Sequence, residues 1–275
     1  MKTQEIIDHL DSCFRPEYQE SYDNSGFLVG DPESEYTGTL IALDITSATV
    51  DDAIDNGLSL IVSHHPFIFS GLKRITNDNA DGKMITRLIK NDISVYAAHT
   101  NLDNLPWGVN GILAQKLGLI DCHILRPLES DSQAIKQSSN QANSIGAGMV
   151  GILPHPTPVM DFLGLVKERL ALPVVRTSQF DNHNSELIIE KVAICGGSGA
   201  FLIPDAIAAE ADIFLTGDLK YHDFQKATDK TVLADIGHYE SEQFAKEIFY
   251  NVISEKFSSF ACRISEHSKS YVNYI

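Results

Sequence analysis

Positive charge is in short supply. Lys and Arg number 21 against 37 Asp and Glu, a formal net charge of −16 over 275 residues. So acidic a chain is unsuited to bulk electrostatic binding of a phosphate backbone or an anionic membrane, and nucleic acid is not expected as a partner. A small anionic metabolite stays compatible, because bound divalent cations dominate the field of their own site. Cysteine is sparse as well. Cys13, Cys122, Cys195 and Cys262 lie far apart with no C-x-x-C pair, which suits reduced thiols in a cytoplasm and roles as core fillers. No apolar run approaches the about 20 residues needed to cross a bilayer. The opening MKTQEIIDHLDSCF reads as an acidic amphipathic helix rather than a basic region before an apolar one, so it is not a secretory signal.

What is present is a core-forming chain, 43% hydrophobic, long enough for one large α/β unit or two lobes. Ile6, Ile7, Leu10 and Phe14 mark the buried stripe of the first helix. GFLVG (26–30) and GTLIALDIT (38–46) read as strands, and TVDDAIDNG as a helix stopped by Gly57. The strand LSLIVS then delivers His64 and His65, ahead of Pro66. GKMITRLIKND reads as a helix, and ISVYAA as a strand delivering His99, Thr100, Asn101 and Asp103. This alternation predicts mixed or mostly parallel sheets, whose ligands gather beyond the carboxyl ends of the strands.

WGVNGILAQKLGL is a further helix, and residues 126–146, rich in Ser, Gln and Asn, read as a linker or surface excursion. MVGILP, the helix MDFLGLVKERLAL and PVVRTS follow. A second α/β block runs through EKVAICGGSG, the helix AFLIPDAIAAEA, the strand DIFLTGD, the segment LKYHDFQKAT, the strand TVLADIG and a long helix from near His238. One more strand is expected around FACRIS. The glycine turn CGGSG has neither G-x-G-x-x-G spacing nor a following Lys-Ser/Thr. It reads either as a tight strand-to-helix turn or as a backbone anion site at a helix start.

GHYESE places His238 and Glu242 four apart, on one helix face. Alone, such a pair is commonly a solvated helix face. Here His64, His65, His99, Asp103, His222, His238 and Glu242 all fall at predicted strand ends or helix starts, and they include five of the ten histidines. Imidazole and carboxylate without thiolate point to Zn, Mn, Fe or Co at an open, exchangeable site rather than a closed structural zinc. Five or six ligands suit two ions about 3.5–4 Å apart, bridged by a carboxylate such as Glu242, and such a pair activates water for hydrolysis. His222 has the placement of a general acid/base, or of a surface histidine after a strand.

SHHPFIF, AAHTNLD, VAICGGSG, TGDLKYHD and DIGHYESE, in this order, closely resemble the Nif-three-like dinuclear-metal proteins, whose bacterial members are known as GTP cyclohydrolase I type 2 homologues. The resemblance runs from the first helix to the last strand. It implies that His64, His65, Asp103, His238 and Glu242 ligate two divalent ions, with Glu242 shared, and that His99 and His222 line the same pocket as additional ligands or proton-transfer groups. It also implies two interlinked α/β lobes with the metals in the cleft between them, assembled as a ring-shaped homohexamer. The lobes would be residues 1–125, with His64, His65, His99 and Asp103, and 126–275, with His222, His238 and Glu242. The last helix and strand could pack back on the first lobe. The chain is too short for the extra middle domain of some members. At 146–151 it reads GAGMVG where members often carry Gly-x-Gly-Arg, and so lacks that arginine. The implied reaction is hydrolytic opening of the guanine imidazole ring of GTP with release of formate. Other expectations are a phosphoesterase or amidohydrolase acting on another small metabolite, and a metal-binding regulatory protein without catalysis.

Overall fold

The structure, a computed structural model, describes residues 1–128, 144–180, 187–227 and 230–275. The greater part of the Ser/Gln/Asn-rich excursion lies outside the described residues. The chain forms two compact units. Unit 1 is Met1–Leu102 with Ala245–Lys269, and unit 2 is Asp103–Phe244 with Ser270–Ile275.

Unit 1 is built on a five-stranded sheet: β1 (Gly26–Val29), β2 (Gly38–Ala42), β3 (Leu60–Ser63), β4 (Ser94–Ala97) and β11 (Ala261–Ile264), in the order β1-β4-β3-β2-β11. Only β1 runs antiparallel to its neighbour; β2, β3, β4 and β11 pair in parallel. Strands β2, β3 and β4 are buried along their whole length, which explains why they read as continuous apolar runs rather than as alternating ones. The first helix, α1 (Thr3–Phe14), buries Ile6, Ile7, Leu10 and Phe14 as its periodicity predicts. Helix α2 (Ser47–Asp55) begins where the Thr46 hydroxyl accepts the Thr49 amide at 3.1 Å. Helix α3 (Ala80–Lys90) is capped in the same way by Asn79. Both crossovers thus return the chain to the same sheet edge.

Unit 2 carries a six-stranded mixed sheet: β5 (Ile120–Pro127), β6 (Gly146–Pro158), β7 (Arg176–Thr177), β8 (Ile188–Ser198), β9 (Ile213–Gly217) and β10 (Val232–Asp235), in the order β5-β6-β8-β9-β10-β7. Strands β8, β9 and β10 are parallel, while β5, β6 and β7 are antiparallel to their neighbours. Its helices are α4 (Thr100–Asp103), which straddles the division, α5 (Val109–Leu117), α6 (Val159–Leu170), α7 (Ile203–Ala208), α8 (Tyr221–Lys226) and α9 (His238–Glu242); α10 (Ala245–Lys256) belongs to unit 1.

Three differences from the sequence expectation stand out. The boundary drawn from the sequence follows residue 125, whereas the compact units divide between Leu102 and Asp103, since β5 pairs along β6 and Asn110 of α5 accepts the Gly196 amide of β8 at 2.9 Å. The long helix expected from His238 is two helices, interrupted at Gln243 and Phe244. Strand β5 has no counterpart among the strands the sequence predicts. It is a mostly exposed edge strand with a register shift between Ile120 and His123, so it lacks the period-two burial by which strands are read.

Candidate metal centre

In unit 1 three imidazoles gather at the carboxyl ends of β3 and β4. The ladder continues past β3: the His64 amide donates to Ala42 O at 3.3 Å and the His65 amide to Leu43 O at 2.9 Å. The Ser63 hydroxyl then donates to the His65 carbonyl at 2.8 Å, turning the chain ahead of Pro66. That turn breaks the alternation of a strand and lets two adjacent rings share one side. Ring centroids are 5.0 Å apart for His64 and His65, 5.3 Å for His64 and His99, and 5.6 Å for His65 and His99. Each ring offers a nitrogen within 4.8 Å of those of the other two.

The hydrogen bonds behind these rings fix which nitrogen each can offer. His64, wholly buried, donates from Nδ1 to the Ala98 carbonyl at 2.9 Å. His65 donates from Nδ1 to Asp44 Oδ1 at 2.7 Å, and His99 from Nδ1 to Asp23 Oδ1 at 2.9 Å. Carbonyl and carboxylate oxygens only accept, so Nδ1 carries a proton in all three rings and Nε2 is the nitrogen that each, as a neutral imidazole, offers to a metal. Metal-ligating histidines are oriented in this way. Asp23 itself has no solvent-exposed side-chain surface. It also accepts from the Thr100 amide and hydroxyl, the Ser25 hydroxyl and the Asn24 amide. Burial works to raise its pKa, but the hydrogen bonds from His99 and Thr100 and the nearby His99 outweigh that and hold the carboxyl well below the ordinary range.

Unit 2 offers two carboxylates and a fourth imidazole. His238 and Glu242 stand one turn apart on α9, with Nε2 3.0 Å from Glu242 Oε2. On its other side the ring donates from Nδ1 to Asp218 Oδ2 at 2.8 Å, repeating the arrangement of unit 1. The hydrogen bond to Glu242 raises the His238 pKa against the lowering effect of burial, and Glu242 and Asp218 as charges add to it, so that it reaches about 9. In the metal-free chain a proton therefore sits between His238 and Glu242 at neutral pH. Asp103 and Glu242 bring ligand oxygens within 4.8 Å of one another. Both push up the thiol of buried Cys195, although burial is the larger cause, and this cysteine falls in none of the ligand groups among the described residues.

The CGGSG turn belongs to this cluster. A Cβ on Gly197, at φ +62, would stand 2.0 Å from Glu242 Oε1, so glycine is required for Glu242 to lie against the turn. The amides of Gly196, Gly197 and Gly199 donate to Asn110 Oδ1, Ser241 Oγ and Thr216 Oγ1, each at 2.9 Å. These three glycine amides are committed within the protein. Of the two readings of the motif, the tight turn is the one built here.

Of the seven predicted site residues, His64, His65 and His99 come together in unit 1, and Asp103, His238 and Glu242 lie in unit 2. His222 does not join them. It is exposed on α8 with its ring edge-on to Tyr221, centroids 5.2 Å apart, and falls in none of the ligand groups among the described residues. Sequence reasoning passed over Asp23, Asp44 and Asp218 as partners of the histidines. Only Asp218 carried a signal, since it lies within the TGDLKYHD motif. Met149, standing where the resembling proteins often carry an arginine, is buried.

The Duf34/NIF3 (NGG1p interacting factor 3) family matches residues 1–270. The chain belongs to this family. A Clostridium perfringens protein named GTP cyclohydrolase 1 type 2 homolog is 35% identical over 243 residues, 88% of this chain and 87% of the relative. A Streptomyces coelicolor protein of the same name is 35% identical over 240 residues, 86% of this chain and 80% of the relative. Among solved structures, a Staphylococcus aureus hypothetical protein matches with a TM-score of 0.86 and 32% identity, covering 100% of this chain and 99% of that one. The mixed α/β architecture with two sheets is thus that of NIF3 proteins, and this member carries His and Glu groups able to bind metal. No helix among the described residues is long and apolar enough to cross a membrane.

Proposed function

We propose that this NIF3-family chain is a dinuclear metal-dependent hydrolase of a small anionic metabolite. His64, His65, Asp103, His238 and Glu242 would hold two divalent ions (Zn, Fe, Mn or Co), Glu242 being the residue that would serve both. The observation that carries the reading is the common setting of four imidazoles: each has Nδ1 committed to an oxygen acceptor, which makes Nε2 the nitrogen a metal would take, at His238 in place of the proton shared with Glu242. Bound there, two divalent cations supply Lewis acidity and lower the pKa of water toward neutrality. His99, backed by Asp23, accepts or returns a proton at Nε2 or completes the ligand set, and His222 exchanges protons with solvent.

GTP is the first substrate to test, given the names of the relatives, and the reaction is hydrolytic opening of its guanine imidazole ring with release of formate. A cytoplasmic, ring-shaped homohexamer is part of the same reading, with light scattering at six times the chain mass as its check. The exposure of His222 favours a second reading, a metal-binding regulatory protein without catalysis. The deciding experiment measures metal per chain on untagged protein prepared without chelator and after reconstitution, beside Glu242→Ala, followed by formate release from GTP. About two ions per chain, lost in the variant, and turnover in the loaded protein are expected. Two ions without turnover on GTP or other small phosphorylated or amide substrates would select the regulatory reading, and no stoichiometric metal would overturn both.

A further inference from the structure

Six non-glycine residues among those described have a left-handed backbone: Arg15, Asp92, Asp121, Ala171, Glu210 and Asp218. Five have a local cause. Arg15 and Ala171 are helix C-caps, and Asp92 and Glu210 directly follow the C-caps Asn91 and Ala209; these are the usual places for such a backbone. Asp121 lies at the register shift of β5.

Asp218, at φ 56, is different. It comes straight off the end of β9, with no helix behind it. Its neighbours leave it little freedom. A Cβ on Gly217 would stand 2.9 Å from Gly197 O and from His238 N, and the Leu219 amide donates to Asp235 Oδ2 at 3.0 Å. Glycine adopts this conformation at no steric cost, and aspartate tolerates it chiefly by bonding its own backbone. Here the carboxylate instead reaches His238, twenty residues on, at 2.8 Å. A residue held in an unfavourable conformation by its surroundings, with its side chain on a functional group, is a sign of strain kept for function.

We infer that Asp218 is a positioning residue for metal binding: its strained backbone is retained because only a side chain at that point can hold the His238 ring with Nε2 forward. This rests on His238 being a ligand, and goes beyond it by assigning a role to a residue that contacts no ion. The strain gives the role a signature that ordinary structural support lacks. Removing the side chain relaxes the backbone and loosens the ligand in the same step.

The test uses the full chain, stripped of metal, with zinc affinity read by competition with a chromogenic chelator and thermal midpoint read on the metal-free protein. Asp218→Gly is expected to bind zinc about ten- to a hundred-fold more weakly while its metal-free midpoint rises. Asp218→Asn, which tolerates the left-handed backbone and keeps an acceptor oxygen, is expected to lose less affinity than the glycine variant. Unchanged zinc affinity in Asp218→Gly beside a loss in His238→Ala would overturn the inference and leave the ligand assignment standing. A metal-free midpoint that falls in Asp218→Gly would overturn it as well, by making the residue a support of the fold. Zinc binding unaffected by His238→Ala would overturn both the inference and the reading beneath it.

Discussion

His64 of unit 1 is wholly buried and its Nδ1 is held by a backbone carbonyl, whereas His238 of unit 2 has 37% of its side chain exposed and is held by the carboxylate of Asp218. The first histidine lies at the carboxyl end of the sheet, fixed by the ladder that pairs β2 with β3. The second stands at the start of a five-residue helix whose N-cap is Gly237. The contrast teaches that one ligand chemistry can be built at very different cost to the fold. At His64 the proposed ligand is itself part of the core, whereas at His238 the proposed ligand is half-exposed at the start of a short helix after β10.

The largest effect that would sharpen this contrast is on His64. His64→Ala leaves a buried cavity and an unsatisfied Ala98 carbonyl, and should lower metal-free stability by about 2–4 kcal/mol in urea unfolding. His238→Ala should lower it by less than His64→Ala does, since that ring is 37% exposed, although both abolish stoichiometric metal. Equal losses in the two variants would erase the distinction. Next comes Asp23, which should cost about 2–3 kcal/mol as Asp23→Asn, because the new amide is buried against donors. Asp44→Asn, at a carboxylate 28% exposed, should stay within about 1 kcal/mol. Chelator competition should nevertheless show zinc affinity weakened about ten-fold in both.

Gly197→Ala tests the unit 2 cluster from its packing side. A left-handed alanine costs about 1–2 kcal/mol, and the Cβ must displace the Glu242 carboxylate, so bound metal should fall together with stability; full metal content in this variant would show that Glu242 needs no such support. The smallest effect belongs to His222→Ala. On an exposed residue it should move stability by less than about 0.5 kcal/mol and leave the metal content unchanged. Turnover on GTP should nonetheless be lost if the imidazole moves protons, and full consumption by this variant would end that assignment.

Much of this arrangement was readable from the chain. The runs LIVS and SVYA announced buried parallel strands, and SHH, AAHTNLD and HYESE marked the candidate ligands at strand ends and a helix start. These signals are local: apolar run length, capping residues and i, i+4 spacing each lie within a few residues. The break after Glu242 escaped detection because Ala245, Ile248 and Phe249 continue the apolar pattern beyond it. Strand β5 escaped because an exposed, bulged edge strand has little of the pattern that burial imposes.

The sequence by itself determined the donor types, the elements that deliver them and the family to which the chain belongs, since each is written in contiguous motifs. Only the tertiary structure decided that Asp23 lies behind His99, 76 residues away, that Asp44 lies behind His65 and Asp218 behind His238, and that Gly197 makes room for Glu242. The physical reason is the same in each case. A histidine becomes a metal donor through the oxygen that takes its other proton, and that oxygen is a neighbour in space, brought there by the sheet and not by the chain.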